Sequence, residues 1–331
     1  MARVLSGVKP TGKMTLGNYL GSFRNFPKFQ DDNQAYIFVA DLHALTLPID
    51  PLVLHSTTYD IVSFYLASGL DPKKTVLFRQ SDIPEVGMLN AILVNYVYMG
   101  ELSLMTQFKE KSAKLNQKAI GCGLFTYPVL MAADIFLYDS DIVPVGEDQR
   151  QHVELAHEIA RRFNSRYGGE IIKLPKYVTP AVGKRIMSLS DPLHKMSKSD
   201  DREAQKGVIY LQDDEKTIRK KIMSAITDSG SEVKFDPAEK PGISNLLTIY
   251  GALKGMEPEE ASKLFVGQNY GTFKKAVADA VMDELGPFQQ RFNAFRSDES
   301  ALEDLFSQGA LKAREAAKPV LNRVMKAVGL R

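Results

Sequence analysis

The chain contains no tryptophan and a single cysteine, Cys122, in 331 residues. One thiol excludes an internal disulfide and any multi-cysteine metal or iron–sulfur cluster. Histidine is sparse too: His43, His55, His152, His157 and His194 are scattered along the chain. His152 and His157 are five apart, which does not bring both to one helix face, and His55 reads as a surface helix residue; no zinc site is expected. Charge of one sign is lacking, with a formal net charge of +2, so any nucleic-acid contact must come from a local patch. No stretch reaches the roughly 18 apolar residues of a membrane span, and the N-terminus has no long apolar run. Neither a membrane helix nor a signal peptide is expected, and the protein reads as cytoplasmic. Internal repeats and low-complexity tracts are absent.

What is present is ordinary globular composition, 44% hydrophobic and 25% charged, over a length suited to one large domain and a smaller one. The first distinctive stretch is Ser6-Gly7-Val8-Lys9-Pro10-Thr11-Gly12-Lys13-Met14-Thr15-Leu16-Gly17-Asn18. Val4 and Leu5 lead into it as a strand, and Tyr19, Leu20, Phe23 and Phe26 follow at helical spacing. Strand, glycine-rich loop and helix N-terminus form an anion site, with Gly17 admitting a flat ligand and Thr15 and Asn18 able to donate to phosphate oxygens. Gly7 to Lys13 fits the start of a P-loop, but the position that should be Ser or Thr for magnesium is Met14. The loop is either a phosphate cradle of another kind or a plain tight turn.

Tyr36-Ile37-Phe38-Val39-Ala40 reads as a strand buried on both faces, ending in Asp41-Leu42-His43 at a carboxyl end. Asp50-Pro51 opens a helix to about Ser68, and Thr75 to Phe78 is the next strand. This alternation predicts a doubly wound parallel sheet. Pro84 to Leu104 reads as one long apolar helix, buried or at a subunit contact, and Phe108 to Lys114 as a charged loop, either a solvated face or a basic surface near phosphates. Tyr127 to Tyr138 is helical and apolar nearly all round, with Asp134 in its middle and Tyr127 and Met131 on the same face. A buried carboxylate needs a partner. Asp134 is either an internal cap or ion pair, or an acceptor waiting for a ligand's donor. Asp141 to Val145 is a further strand; Gly146, Asp148 and Gln149 stand at its carboxyl end, before a helix from about Asp148 to Phe163.

The Lys195-Met196-Ser197-Lys198-Ser199 run offers point charges and hydroxyls that could wrap phosphates, though such runs are also surface linkers. A boundary is expected near 190–206. Beyond it Val208 to Leu211 is short and extended, helices follow over 215–226, 242–253, 257–265 and 271–296, and a short one over 300–305. A separate last helix within 306–331 carries six basic residues against Glu315, a pattern that suits an RNA backbone or merely solvates itself.

Thr15-Leu16-Gly17-Asn18 after Pro10-Thr11-Gly12, and Lys195-Met196-Ser197-Lys198-Ser199 about 180 residues later, together resemble the two signatures of the class I aminoacyl-tRNA synthetases, in the form of the bacterial tryptophanyl branch. Met131-Ala132-Ala133-Asp134, Val143-Pro144-Val145-Gly146-Glu147-Asp148-Gln149 and Gly242-Ile243-Ser244-Asn245-Leu246 are similar to further stretches of that family, and the resemblance spans essentially the whole chain.

The resemblance implies a Rossmann-like α/β catalytic domain over 1–190, a mobile signature loop and linker over 191–206, an all-α anticodon-binding domain over 207–305 and a C-terminal helix, 306–331, packing back on the catalytic domain. It implies that Asp134 accepts the indole N–H of L-tryptophan, that Tyr127 and Gln149 hold the ammonium, and that Leu5, His43, Met131, Val143 and Val145 wall the slot. ATP would be held by Lys9, Pro10, Thr11, Gly17, Asn18, Gly146, Glu147, Asp148, Ile186, Lys195, Met196, Ser197, Lys198 and Ser199. Thr15, Asn18, Lys195 and Lys198 would stabilise the reacting phosphates, with Mg2+ accompanying ATP and no metal held by the protein. A homodimer charging tRNA(Trp) is implied. Leu5 stands where the family commonly has Phe, and Lys9 where it commonly has Gln, which reshapes a wall and adds a charge. A specialised copy with weakened tryptophan affinity, a tyrosyl-tRNA synthetase, a P-loop NTPase and a non-catalytic binding module are the alternatives.

Overall fold

A computed structural model describes residues 1–113, 120–178, 185–197 and 205–331. Lys114, Lys198 and Ser199, which figure in the reading above, lie outside the described residues.

Five strands form one parallel sheet: β1 (Ala2–Val8), β2 (Asn33–Val39), β3 (Thr75–Arg79), β4 (Ile142–Pro144) and β5 (Lys176–Val178), in the order β3-β2-β1-β4-β5. The long register Ala2↔Asn33 to Val8↔Val39 puts the carboxyl ends of β1 and β2 level. Tyr36 to Val39 is buried throughout, as a strand covered on both faces must be. β5 went unforeseen. It is three residues long and has no run of its own, gaining its ladder only beside β4.

Helices cover both faces of the sheet. α1 (Leu16–Gly21), α2 (Asp41–Ala44) and α3 (Pro51–Ala67) come first. α3 begins as expected: Asp50 Oδ1 accepts from the N–H groups of Leu52 (2.9 Å) and Val53 (3.1 Å), with Pro51 at the first turn. The single helix expected over 84–104 is two, α4 (Pro84–Leu93) and α5 (Met99–Ser103), joined by a 3-10 turn. Asn95 donates to the carbonyls of Ala91 and Ile92, ending α4, and Glu101 reaches back to the Tyr98 N–H to start α5. The charged stretch from Phe108, expected as a loop, lies in α6 (Thr106–Ser112); Phe108 packs edge-on against Phe125 at 5.0 Å. α7 (Cys122–Leu137) and α8 (Arg150–Tyr167) complete this half.

After the second loop come α9 (Glu215–Met223), α10 (Pro241–Lys254), α11 (Pro258–Lys263), α12 (Tyr270–Arg296) and α13 (Glu299–Ala327). The expected break between 305 and 306 is absent, since α13 runs straight through it. Gly309 sits inside that helix for packing: a Cβ there would fall 1.6 Å from the Leu77 carbonyl, so only glycine lets α13 lie against edge strand β3. Val208 to Leu211 contributes only a bridge, Thr15↔Tyr210, flanked by Leu16 N–H to Ile209 O (2.9 Å) and Leu211 N–H to Met14 O (2.8 Å).

The core is two apolar layers. One joins Leu16, Phe23, Ile37, Phe64 and Leu77 to α12, where the Phe64 ring stacks on Phe292 at 4.4 Å. The other joins Leu5, Tyr36, Phe38 and Phe78 to α4, α7, α8 and the Ala313–Leu321 face of α13. α13 therefore packs on the sheet, and two of its basic residues are taken up there: Arg314 pairs with Glu85 (3.1 Å) and Arg323 with Asp139 (2.6 Å). That weakens the case for an RNA-facing helix.

Candidate active site

In the order 3-2-1-4-5 the chain reverses direction across the sheet between β1 and β4, and open parallel sheets bind ligands outside the carboxyl ends at that point. The first loop leaves β1 there, and Val145-Gly146 leaves β4 beside it. His43 follows β2 and Gln80 follows β3.

The first loop closes into α1 through a capping box. Thr15 Oγ1 accepts from the Asn18 N–H (3.2 Å) and Asn18 Oδ1 accepts from the Thr15 N–H (3.0 Å). Thr15 is buried, and its hydroxyl donates to Asn18 Oδ1 at 3.1 Å, so it sets the orientation of Asn18. Pro10 is anchored by the Thr57 hydroxyl (2.8 Å), and Thr11 N–H bonds the Lys9 carbonyl (2.9 Å).

Gly17 meets the second loop. A Cβ there would stand 3.8 Å from Ile186 Cβ and 3.9 Å from the Met196 carbonyl. Met187 and Lys195 form an antiparallel bridge, supported by Met196 N–H to Ile186 O (2.9 Å), and Ile186 and Met196 are buried. Lys195 and Ser197 are exposed on that support. The sequence reading missed what holds it: Asn245 of α10, buried, bonds both polar groups of the Met187 backbone.

Leu5 of β1, Val143 of β4 and Val129 and Ala132 of α7 share one apolar cluster, with Met131 and Val145 half-buried against it. Asp134, on the same helix, is buried. His43 Nε2 lies 3.0 Å from Asp134 Oδ2, and Gln80 Nε2 donates to both carboxylate oxygens at 2.9 Å. Burial pushes the Asp134 carboxyl up, and the His43 and Gln80 contacts pull it back. Asp134 thus has the internal partners that the ion-pair reading asked for, and Gln80 had no sequence signal, being a lone amide 54 residues away.

Tyr127 stands on the same face of α7, its hydroxyl 2.6 Å from His152 Nε2 and its ring edge-on to His43 at 6.2 Å. Burial, then the nearby Lys111 charge, pushes the His152 imidazole down to about 4, and burial raises the Tyr127 hydroxyl. Lys9 and Lys111 hold their ammonium groups 6.0 and 5.4 Å from the Tyr127 ring centre. Forming α6 is what brings Gln107 and Lys111 here: Lys111 donates to Gln107 Oε1 (2.8 Å), and Gln107 donates to Asp148 Oδ2 (3.2 Å). Gln149 Nε2 donates to the same Asp148 oxygen at 2.7 Å. A Cβ at Gly146 would lie 2.7 Å from Asp148 Oδ1, so a larger residue there would displace that carboxylate. Among the described residues no group of three or more His, Cys, Asp or Glu side chains is placed to hold a metal ion.

The sequence profile of the family described as tRNA synthetases class I (W and Y) matches residues 1–286. The tryptophan–tRNA ligase of Halalkalibacterium halodurans is 47% identical over 327 residues, 99% of this chain and 97% of that one. The crystal structure of tryptophanyl-tRNA synthetase from Mycoplasma pneumoniae superposes with a TM-score of 0.91 at 37% identity, covering 100% of this chain and 98% of that one. That of the Campylobacter jejuni enzyme complexed with ADP and tryptophan gives 0.81 at 33%, covering 99% of each. Two signature loops meeting at Gly17, a parallel sheet whose order reverses beneath them, and full-length relatives of this kind lead to one conclusion: the chain belongs to the class I tRNA synthetase family of the tryptophan and tyrosine enzymes.

Proposed function

We propose that the chain is a tryptophan–tRNA ligase, activating L-tryptophan with ATP and passing it to tRNA(Trp). The observation that carries this reading is the buried Asp134, a carboxyl acceptor on the same helix face as Tyr127, bonded by His43 and Gln80 on a helix whose Val129 and Ala132 share an apolar cluster with Leu5 and Val143. An amino acid with a ring N–H satisfies that acceptor, whereas phenylalanine leaves it unpaired, which costs such analogues about 10⁴ in selection. A tyrosine hydroxyl could reach the same group, so its exclusion rests on slot shape.

In the reaction, a carboxylate oxygen of tryptophan displaces pyrophosphate from the α-phosphorus of ATP. The terminal ribose 2′-hydroxyl of the tRNA then takes the acyl group and AMP leaves. The substrate is its own nucleophile, so the protein contributes positioning and charge stabilisation. Tyr127 and Gln149 orient the ammonium; Gly17, Asn18, Gly146 and Asp148 border the nucleotide; Lys195, with Lys198 from outside the described residues, meets the phosphates. Magnesium comes in with the triphosphate.

The helical region over 207–305 is read as the anticodon-binding part, with 306–331 packing back on the sheet. Met88, Tyr98, Met99 and Leu104 expose apolar side chains on and around α4 and α5, which favours the expected subunit contact there and hence a homodimer. No helix among the described residues is long and apolar enough to cross a membrane, and a cytoplasmic location suits a translation enzyme. A specialised copy with weaker tryptophan binding is favoured by one observation, the Lys9 ammonium beside Tyr127, where a substrate ammonium would come.

Pyrophosphate exchange with tryptophan, tyrosine and phenylalanine tests the function. Tryptophan alone should support exchange, and Asp134→Ala should raise the KM for tryptophan strongly with little change for ATP. Because the chain has no tryptophan of its own, the change in fluorescence of the added amino acid reports binding without tryptophan emission from the protein. No exchange with any of the three, in a folded protein, overturns the reading.

A further inference from the structure

Gln80, the first residue after β3, is fully buried. Its neighbours on both sides are clamped. Arg79 pairs with Asp82 (3.1 Å) and with Glu303 of α13 (2.8 Å), and Ser81 gives its N–H (3.0 Å) and its hydroxyl (2.5 Å) to Asp41. From this fixed turn the Gln80 amide nitrogen reaches both oxygens of Asp134. Its own Oε1 is buried and has no hydrogen-bond partner among the described residues. A buried acceptor left unpaired is costly, and turning the amide over would face that oxygen to a carboxylate. The side chain is therefore committed to donating.

The two oxygens of Asp134 are loaded unequally. Oδ2 meets both His43 and Gln80, while Oδ1 meets Gln80 alone. We propose that Gln80 is a positioning residue for amino-acid selection: it fixes the plane of the Asp134 carboxylate and leaves Oδ1 as the oxygen that takes a ring N–H from the substrate. This rests on the reading of Asp134 as the substrate's acceptor. Gln80 touches no reacting atom and acts through Asp134.

Tryptophan-dependent pyrophosphate exchange by the full chain, from pH 6 to pH 8, tests it. Gln80→Met keeps the shape and removes the donors; Gln80→Glu keeps the shape and offers an acceptor instead. Each should raise the KM for tryptophan about tenfold or more, with kcat and the KM for ATP within about twofold. The penalty relative to the unaltered protein at the same pH should grow as pH falls, because a carboxylate without those donors gains a proton more readily. The other groups around Asp134 do not mimic this. His43 bonds the carboxylate in the unaltered protein and in the variants alike, burial pushes the Tyr138 hydroxyl up, and Glu85 pairs with Arg314. The substituted proteins should also discriminate poorly between tryptophan and 1-methyltryptophan, which lacks the ring N–H.

Asp134→Asn serves as reference. If it weakens tryptophan binding while both Gln80 variants leave the KM and its pH profile untouched, the role of Gln80 is overturned and the acceptor reading stands. Equal losses for ATP and tryptophan likewise overturn it, as a general structural defect would give them. If Asp134→Asn itself changes nothing, both fall together.

Discussion

Asn245 grips the peptide of Met187 at both ends: its Oδ1 accepts from the Met187 N–H and its Nδ2 donates to the Met187 carbonyl, each at 2.8 Å. These residues are 58 apart in sequence, one on α10 and one at the base of the second signature loop. The helical part thereby holds the strip from which Lys195 extends.

Asn245→Leu, of similar size, strands both Met187 groups and should cost about 2–3 kcal/mol locally. The KM for ATP in pyrophosphate exchange should rise about tenfold, while tryptophan binding by fluorescence stays as it was. Unchanged ATP kinetics would show that the loop is held by other means.

Much of this architecture was legible in the chain, and the exceptions share a cause. Strands β1 to β4, the Asp50 cap and the Asp134 helix announce themselves locally, through unbroken apolar runs, a capping residue or 3.6-residue spacing. Asp134, His43 and Tyr127 do assemble, as do Gly17, Ile186 and Met196. What was illegible depends on partners distant in sequence. α6 has no side-chain cap and presents a run of charges, so its helical state follows from contacts such as Phe108 with Phe125. α13 continues through Gly309 because that glycine answers to Leu77, not to its own neighbours. Gln80 and Asn245 are single amides whose importance lies in which buried group they meet.

His152 offers a pH signature. Its imidazole is held down to about 4 against an ordinary 6.5, so below pH 6.5 the unfolded chain binds a proton that the folded one refuses. This contribution is full above pH 6.5 and is lost as pH falls through about 4, to a total of about 3 kcal/mol. Urea unfolding between pH 7 and pH 4 should show that loss, and His152→Gln should remove that share of it. An identical acid limb in the variant would assign the loss to other groups.

Gly309→Ala separates propensity from packing. In an unconstrained helix interior the change stabilises by about 1 kcal/mol. Here the new methyl meets the Leu77 carbonyl, so a loss of about 1–3 kcal/mol and a lower Tm are expected. A raised Tm would mean that α13 can slide off β3.

Gly146→Ala should push Asp148 away from Gln107 and Gln149 without unfolding the chain. Substrate KM values should rise at unchanged Tm, measured side by side. Normal kinetics would remove Asp148 from the site.

Met99, 73% exposed on α5, tests the subunit contact. Sedimentation should give twice the chain mass, and Met99→Glu should shift it toward the single chain. A monomeric unaltered protein refutes the dimer.

The bridge of Thr15 to Tyr210, with Leu16 and Met14 bonded on either side, also bears on how the protein is made. Synthesis runs from the first signature loop toward its backbone partners, which arrive nearly two hundred residues later. Until then the Leu16 N–H and the Met14 carbonyl can only bind water, so a nascent chain can carry the first strands of the sheet before this loop is fixed.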